Sequence, residues 1–218
     1  MLIYVYIQFF IIVYIMNNIK NNKNSKNIHY NLNWKNWGNR KYMNSTLVEN
    51  QVNLYKSLFL LYNIKSTHMS LLEIGAGHGD YTFVFEKLFK KITAIDPEKV
   101  LIDIFNNKIN KLNLKSKIET HVCGCEDFVT LDKLKTFDFI VFSYSFMWIN
   151  NKQKCLLNIT KLLKDNGYIL LMEPSRFVNN LDKKFIKQKE LMIETLETFF
   201  SSKKLKLIHF LTNKGTNI

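Results

Sequence analysis

An apolar strand that runs directly into a glycine-rich turn and then a helix limits the possible folds of this 218-residue chain most strongly. The segment reads Leu71-Leu72-Glu73-Ile74-Gly75-Ala76-Gly77-His78-Gly79-Asp80. Glycines at such a turn adopt positive φ angles and let a ligand approach the backbone, while the following helix offers free N–H groups. The segment therefore predicts the first βα unit of a parallel sheet, with a ligand site at its turn.

Short apolar runs alternate with amphipathic stretches from Ser45 onward, which is typical of strands and crossover helices in a parallel α/β sheet. The predicted strands cover residues 70–73, 91–95, 117–122, 137–143, 168–172 and 205–211. Helices are predicted over 47–62, between successive strands, and over 181–200. We expect a Rossmann-like, doubly wound, mostly parallel sheet with helices on both faces.

The length of the chain fits one domain with an N-terminal extension. We divide it into a hydrophobic segment, 1–16, an Asn- and Lys-rich linker or lid, 17–45, and a domain, 46–218. Residues 2–16 are apolar except for Gln8, but they fall short of the roughly 20 residues of a transmembrane helix. Three interpretations of this segment stay open: a membrane anchor, a packed strand or helix, and an upstream translated stretch before a start at Met16.

The net charge of +13 would attract polyanions such as nucleic acids. Only Arg40 and Arg176 are arginines, however, whereas phosphate and guanine recognition favours the planar Arg fork. The abundance of Lys, Asn and Ile is typical of an AT-rich coding sequence. The charge alone therefore does not indicate a nucleic-acid partner.

The cysteines and histidines show no spacing typical of a metal site or a disulfide framework. Cys123, Cys125 and Cys155 form no C-x-x-C pair, and the five histidines are scattered along the chain. We predict no metal and no disulfide framework. The cytoplasm, which is reducing, is the expected location, with membrane attachment through residues 2–16 as the alternative.

Two acidic residues follow the predicted strands. Glu73 ends the strand before the turn, where a buried carboxylate needs a hydrogen-bonding partner. Asp96 ends the next strand, where a carboxylate can bind both hydroxyls of a ribose. Asp96 can also cap the helix that begins at 97–98, and both roles can coexist. Gly79 comes one residue too early for the G-x-G-x-x-G fingerprint, which disfavours a dinucleotide.

These residues resemble the class I S-adenosylmethionine-dependent methyltransferases, whose first motif is E/D-x-G-x-G-x-G and whose second ends a strand in an acidic residue. Later segments resemble further family motifs in the same order: Cys125-Glu126-Asp127-Phe128, Phe137-Asp138-Phe139-Ile140-Val141 and Leu162-Leu163-Lys164-Asp165-Asn166-Gly167-Tyr168-Ile169-Leu170. The resemblance predicts methyl transfer with S-adenosylmethionine as the cofactor. The family sheet has seven strands; because only residues 212–218 follow the last predicted strand, we expect one strand to be missing and residues 2–15 to be a candidate for its place.

The resemblance also implies a set of cofactor-binding residues: Glu73, Gly75, Ala76, Gly77, His78, Asp96, Glu126, Asp127 and Ser143. The glycines would pass under the methionine portion, Glu73 would orient that backbone or its amine, and Asp96 would take the ribose hydroxyls. One of the two acidic residues at 126–127 would reach the adenine. His78 is expected to face solvent or cofactor rather than to act as a base.

The acceptor pocket is predicted just after the strand over 137–143, at the carboxyl edge where ligands of α/β sheets lie. Its residues are Ser143-Tyr144-Ser145-Phe146-Met147-Trp148-Ile149. They resemble the S-x-x-x-H-W-I segment of small-molecule methyltransferases such as those acting on trans-aconitate and juvenile hormone acid, with Met147 in place of the His. We predict that Tyr144 and Trp148 line the pocket, with packing in the core as the alternative. The expected acceptor is a small molecule, methylated on a carboxylate or hydroxyl oxygen.

Two other functions stay open. An RNA methyltransferase is favoured by the charge and by a resemblance of residues 73–96 to rRNA adenine dimethylases. The N-L-P-Y or N-P-P-Y motif of those enzymes is absent, since residues 143–146 contain neither Asn nor Pro. A degenerate cofactor-binding module is disfavoured by the intact first two motifs. The sequence does not indicate an oligomeric state, and membrane contact through residues 2–16 stays an alternative.

Overall fold

A computed structural model describes residues 9–15, 45–131, 135–174 and 206–210. The strands are β1 (Phe9–Ile15), β2 (Ser70–Ile74), β3 (Lys91–Asp96), β4 (Ile118–Val122), β5 (Phe137–Ser143), β6 (Leu163–Pro174) and β7 (Lys206–Phe210). The helices are α1 (Ser45–Leu61), α2 (Asp80–Glu86), α3 (Lys99–Lys111), α4 (Cys125–Leu131) and α5 (Lys152–Leu162), with single 3₁₀ turns at Ser66–His68 and Phe146–Trp148. The predicted helix over 181–200 and most of the predicted linker lie outside the described residues.

The strands form one sheet in the order β4-β3-β2-β5-β6-β1-β7. From β4 to β6 the neighbours are parallel, so the carboxyl ends of these five strands meet at one edge. The chain order reverses between β2 and β5, and ligands of open α/β sheets bind at such a switch point. The predicted Rossmann-like, mostly parallel sheet is confirmed.

The N-terminal strand β1 lies between β6 and β7 and is antiparallel to both. Its register with β6 runs from Phe9 opposite Pro174 to Ile15 opposite Tyr168. Within the described part of the chain, six strands follow Ser70, as predicted, and β1 is the seventh strand of the sheet. The packed-strand interpretation is therefore confirmed for Phe9–Ile15. None of the helices in the described ranges is long and apolar enough to cross a membrane.

Apolar side chains cover both faces of the sheet. On one face, α1, α2 and α3 contribute Tyr55, Phe85 and Phe105 to a buried cluster. On the other face, α4 and α5 contribute Phe128 and Leu156. Such two-sided cover explains why the parallel strands are almost continuously apolar.

The spacing of apolar residues in the second crossover helix predicts a stripe that faces the sheet, made of Leu101, Ile104, Phe105 and Leu112. This prediction is wrong at one position of α3. Leu112 is 56% exposed, whereas Ile109 is buried. The helix ends at Lys111, and Asn113 adopts a φ of 54°, which turns the chain away from the sheet. Leu112 therefore lies beyond the last turn that packs.

A disulfide joins Cys125 of α4 to Cys155 of α5, a pairing that the sequence analysis did not predict. The two Cα atoms are 5.5 Å apart, and both side chains are buried between the helices and the sheet. The partners are 30 residues apart in the sequence, so their spacing carries no signal of the pairing. Cys123, which is half-buried, is not part of it.

We predict that deleting residues 1–15 lowers the free energy of unfolding by more than about 2 kcal/mol, because several ladder hydrogen bonds to β6 and β7 are lost, each worth about 1 kcal/mol. Deletion of residues 1–7, which leaves β1 intact, is the matched control. Urea titrations followed by circular dichroism measure the difference. Equal stability of the two truncated chains would contradict the placement of β1.

Candidate active site

The glycine-rich turn between β2 and α2 is held by backbone hydrogen bonds. Gly75, Gly77 and Gly79 have φ angles of 72°, 55° and 90°, a region that L side chains rarely adopt. The N–H groups of Gly75 and Ala76 both donate to the carbonyl of Ile95, at 2.8 and 3.0 Å. The turn is thereby tied to the end of β3.

The three glycines differ in what lies beside them. A Cβ on Gly75 would overlap Ser145, and one on Gly79 would overlap the ring of Phe105. A Cβ on Gly77 would meet only a methyl carbon of Leu101, at 4.0 Å. Packing within the protein therefore requires two of the glycines, whereas the third faces open space.

Asp96 connects the turn to α3. One carboxylate oxygen accepts from the N–H of Gly77 at 2.8 Å, and the other accepts from the N–H of Glu98 at 2.9 Å. Burial raises the pKa of Asp96, while the two backbone donors oppose that rise. Asp96 thus holds the N–H of Glu98, the residue before α3, and the same carboxylate also holds the glycine turn. It makes no bond to the described residues of the helix itself, which the predicted capping role would require.

Glu73 is completely buried at the end of β2. Its two oxygens accept from the hydroxyls of Thr82 on α2, at 2.5 Å, and Ser143 on β5, at 2.7 Å. Burial raises the pKa of Glu73 to about 7, against the effect of both hydroxyls. Two hydroxyls therefore serve as the hydrogen-bonding partners that this buried carboxylate was predicted to need. Through them, Glu73 connects β2 to α2 and β5 at the switch point.

Tyr144 follows β5 directly and has a φ of 58°, which is uncommon for a bulky residue. Its ring centroid lies 5.1 Å from that of Tyr81, the second residue of α2. The two phenols are hydrogen-bonded, while burial raises the pKa of the Tyr81 hydroxyl. The hydroxyl of Ser145, next in the chain, donates to the carbonyl of Ile74. Strained backbone of this kind is frequent at functional sites.

Glu126 and Asp127, the two acidic residues at the start of α4, lie in different environments. Glu126 is half-buried and accepts from the N–H of Asn151 at 3.4 Å. The side chain of Asp127 is 73% exposed and lies 3.6 Å from the ammonium group of Lys154. Trp148 is half-buried in the 3₁₀ turn that follows β5. Glu126 is therefore the more enclosed member of the pair.

His78 does not face solvent, contrary to one of its predicted orientations. It is 9% exposed, and its Nδ1 atom lies 3.2 Å from a carboxylate oxygen of Asp80. Its backbone carbonyl accepts from the ammonium group of Lys108 at 2.7 Å. The residue thus belongs to the contact between the turn and α3.

The structure brings several predicted residues together and adds others. Glu73 and Ser143 are in contact, as are Gly77 and Asp96. Sequence reasoning missed Thr82, Tyr81 and Lys108. A polar Thr on the sheet-facing side of α2 was a usable signal for Thr82, whereas the contacts of the other two depend on the fold. In the described ranges, no group of three or more His, Cys, Asp or Glu is arranged to hold a metal ion.

A protein family described as "Methyltransferase domain" matches residues 48–211, about three quarters of the chain. The chain belongs to this methyltransferase family. The matched region contains the glycine turn, both acidic strand ends and the segment after β5. Family membership identifies S-adenosylmethionine as the cofactor of the domain.

Individual relatives are more distant. Over 108 residues, 32% are identical to the malonyl-[acyl-carrier protein] O-methyltransferase of Bacillus cereus, which covers 49% of this chain and 38% of that protein. Over 126 residues, 25% are identical to the ubiquinone/menaquinone biosynthesis C-methyltransferase of Wigglesworthia glossinidia brevipalpis, covering 56% of this chain and 50% of the relative. The matches thus span half or less of these relatives' length.

A solved structure supports the fold. A Staphylococcus aureus protein assigned as a caffeoyl-CoA O-methyltransferase superposes with a TM-score of 0.53 at 16% identity, covering 68% of this chain and 72% of the other. At this identity the likeness shows the α/β fold alone.

Replacing Asp96 by Ala is expected to weaken binding of S-adenosylhomocysteine roughly 10- to 150-fold, because charge-assisted hydrogen bonds worth about 1.5–3 kcal/mol are lost. Isothermal titration calorimetry measures the dissociation constant. Asp103→Ala is the matched control, since Asp103 is an exposed carboxylate of α3 paired with Lys99. Unchanged affinity in a folded Asp96→Ala variant would leave Asp96 with a structural role only, through its bonds to Gly77 and Glu98.

The raised pKa of Glu73 predicts a pH-dependent stability. Between its ordinary value of 4.5 and about 7, the folded chain keeps a proton that the unfolded chain has released. The free energy of unfolding therefore falls as pH rises through this window, by about 3 kcal/mol from this group. In Glu73→Gln, which cannot ionise at this position, this contribution to the pH dependence of the free energy of unfolding should be absent. Urea titrations at pH 5 and 7.5 measure the free energy of unfolding of both proteins. An equal change between the two pH values in wild type and Glu73→Gln would contradict a raised pKa of Glu73.

Proposed function

We propose that this chain transfers a methyl group from S-adenosylmethionine to an oxygen atom of a small-molecule acceptor, with carboxylates as the preferred class. The contact between Tyr81 and Tyr144 at the switch point is the observation that carries the acceptor assignment. Because the matches span half or less of the relatives' length, the activity of the whole protein is proposed here together with the acceptor.

The residues at the switch point suit the cofactor. Open space beside Gly77 leaves room for a ligand to approach the backbone. The buried Glu73 carboxylate suits the ammonium group of a methionine moiety, since a nearby cation would favour its charged form. Asp96 is assigned to the ribose hydroxyls and Glu126 to the adenine. The sulfonium of the bound cofactor supplies an electrophilic methyl group.

Tyr81 and Tyr144 are assigned to the acceptor. The two phenols lie where β5 ends and α2 begins, with their ring centroids 5.1 Å apart. Burial keeps Tyr81 protonated at neutral pH, so its hydroxyl is available as a donor rather than as a base. Phenol donors of this kind hold a carboxylate or carbonyl oxygen in a fixed orientation. Trp148, in the next turn of the chain, is assigned to the apolar wall of the same pocket.

Methyl transfer to a carboxylate requires no base, because the acceptor is already ionised at neutral pH. Catalysis then rests on positioning the acceptor oxygen in line with the methyl group. Among residues 45–131 and 135–174, the titratable groups nearest the turn are engaged elsewhere: Glu73 accepts from two hydroxyls and His78 contacts Asp80. This arrangement favours a carboxylate over an acceptor that must lose a proton.

One of the two relatives supports an oxygen acceptor, whereas the Wigglesworthia relative is a C-methyltransferase. The Bacillus cereus relative is an O-methyltransferase of malonyl-[acyl-carrier protein]. Malonyl groups carry a free carboxylate, which is the acceptor class proposed for this chain. At 32% identity over 108 residues, the match supports a shared chemistry rather than a shared substrate.

The distribution of charge disfavours RNA as the acceptor. In the described ranges, lysines gather at the amino ends of the parallel strands: Lys90, Lys91, Lys115, Lys117, Lys135 and Lys164. Glu86, Glu119 and Asp138 pair with the last three of them. Carboxylates gather at the opposite, ligand-binding edge: Asp80, Asp96, Glu98, Asp103, Glu126 and Asp127, against Lys99, Lys108, Lys152 and Lys154. A polyanionic substrate would be held at the wrong edge of the sheet.

Transfer of labelled methyl groups tests the proposal. We expect the purified chain to label a small-molecule fraction enriched in carboxylic acids, and the label to be released as methanol by mild alkali, as methyl esters are. Matched amides and alcohols in the acceptor panel serve as controls. Label that resists alkali would exclude a carboxylate acceptor.

Removing the Tyr144 hydroxyl should affect transfer and leave cofactor binding intact. We expect Tyr144→Phe to lower kcat/KM roughly 10-fold or more, since a hydrogen bond to a charged group is worth about 1.5–3 kcal/mol. The dissociation constant for S-adenosylhomocysteine should not change. Tyr62→Phe, before β2 at the opposite edge, is the control. Equal activity of both variants would remove Tyr144 from the site.

Binding of RNA should be weak and non-specific. We expect affinity to fall linearly with the logarithm of salt, by about 0.7 log unit per phosphate contact, with little binding left at physiological salt. Filter binding at increasing salt concentration measures the affinity for RNA, and a parallel assay measures the transfer of labelled methyl groups into the RNA. Tight, sequence-selective binding that survives physiological salt, with label entering RNA, would replace the small-molecule assignment by RNA methylation.

A further inference from the structure

We propose that Lys108 of α3 is a positioning residue that holds the glycine-rich turn in its cofactor-binding conformation. The inference rests on the cofactor site assigned above. It concerns a side chain on the far side of the turn, outside the set of residues that would touch the cofactor.

The Lys108 side chain reaches from α3 to the turn. Its ammonium group donates to the carbonyl oxygen of His78 at 2.7 Å and lies 4.0 Å from a carboxylate oxygen of Asp80. The same nitrogen lies 5.8 Å from the centre of the Phe83 ring. The side chain is 17% exposed. These contacts enclose the ammonium group between α3, the turn and the first turns of α2.

The hydrogen bond to the His78 carbonyl adds to the hydrogen bonds that hold the N–H groups of the turn. The N–H groups of Gly75 and Ala76 are held by Ile95, and that of Gly77 is held by Asp96. Those bonds fix N–H groups from the β3 side, whereas Lys108 fixes a carbonyl from the α3 side. A turn with three glycines at positive φ has many alternative conformations, so its geometry must be imposed by such contacts. A charge-assisted bond is a strong one for this purpose.

The charged groups that face Lys108 are few in the described ranges. Asp80 of α2 favours its ammonium form, and the His78 imidazole lies beside Asp80. On α3 itself, the next lysine, Lys111, is exposed. Burial outweighs Asp80 and lowers the pKa of Lys108 to about 8. Above this pH the neutral amine keeps at most an ordinary hydrogen bond to His78, and the turn is held less firmly.

The test uses three variants of the full chain. Lys108→Met removes the donor and keeps an apolar stem of similar length, Lys108→Arg keeps a permanent charge, and Lys111→Met makes the same charge change at the exposed neighbouring position. Calorimetric titration with S-adenosylhomocysteine is carried out from pH 7 to 9.5, and thermal melting of each variant reports folding.

We expect Lys108→Met to raise the dissociation constant about tenfold at pH 7, and Lys111→Met to leave it unchanged. The wild-type dissociation constant should rise with pH through about 8 more steeply than that of Lys108→Arg, which stays charged. Comparison with Lys108→Arg removes the contribution of the ligand's own amino group. A merely structural lysine would alter melting and would not produce this difference in pH profile.

Two outcomes would overturn the inference: a folded Lys108→Met variant that binds as tightly as wild type, or parallel pH profiles of wild type and Lys108→Arg. If Lys108→Met does not fold, the pH comparison alone decides. Failure of wild-type and Lys111→Met protein to bind S-adenosylhomocysteine at all would instead contradict the cofactor site itself.

Discussion

The whole site depends on one constraint: a short turn with three glycines at positive φ must be kept in a single conformation. The surrounding elements supply that order. Ile95 and Asp96 at the end of β3 hold its N–H groups, and Lys108 holds a carbonyl from α3. These hydrogen bonds form without a bound ligand. The entropy cost of ordering the turn therefore arises when the chain folds, and not when the cofactor binds.

The buried Glu73 carboxylate extends this organisation across the switch point. Through Thr82 and Ser143 it connects β2 to α2 and β5, so the strand that carries the turn and the strand that leads to Tyr144 share one polar centre. Burying an ionised carboxylate costs free energy, and the raised pKa of Glu73 is a consequence of this desolvation. Its position beside the glycine turn agrees with the proposed role toward a cationic ligand group.

Much of the fold could be predicted from periodicity and turn chemistry. The predicted strand over 137–143 has the same bounds as β5, and α1 begins and ends within two residues of its prediction. The same reasoning could not locate the partner of β1, since pairing of residues 9–15 with β6 is set by the sheet and not by local pattern. The disulfide between Cys125 and Cys155 was missed for the same reason.

The need of Glu73 for a hydrogen-bonding partner was predictable from its place at the end of a buried strand. Contacts that join distant elements were not predictable. Lys108 and His78 are 30 residues apart, and nothing in the sequence distinguishes Lys108 from the many other lysines. The orientation of His78 likewise follows from its packing beside Asp80 and α3.

The most direct measurement is the affinity of Gly77→Val for S-adenosylhomocysteine, compared with wild type by calorimetry. A Cβ at Gly77 meets only a methyl carbon of Leu101, at 4.0 Å, so the main cost to the fold is the strain of a β-branched residue at positive φ, roughly 2 kcal/mol. We predict a cooperative melt, somewhat below that of wild type, together with loss of binding. Wild-type affinity in a folded Gly77→Val variant would show that the cofactor does not lie against this turn.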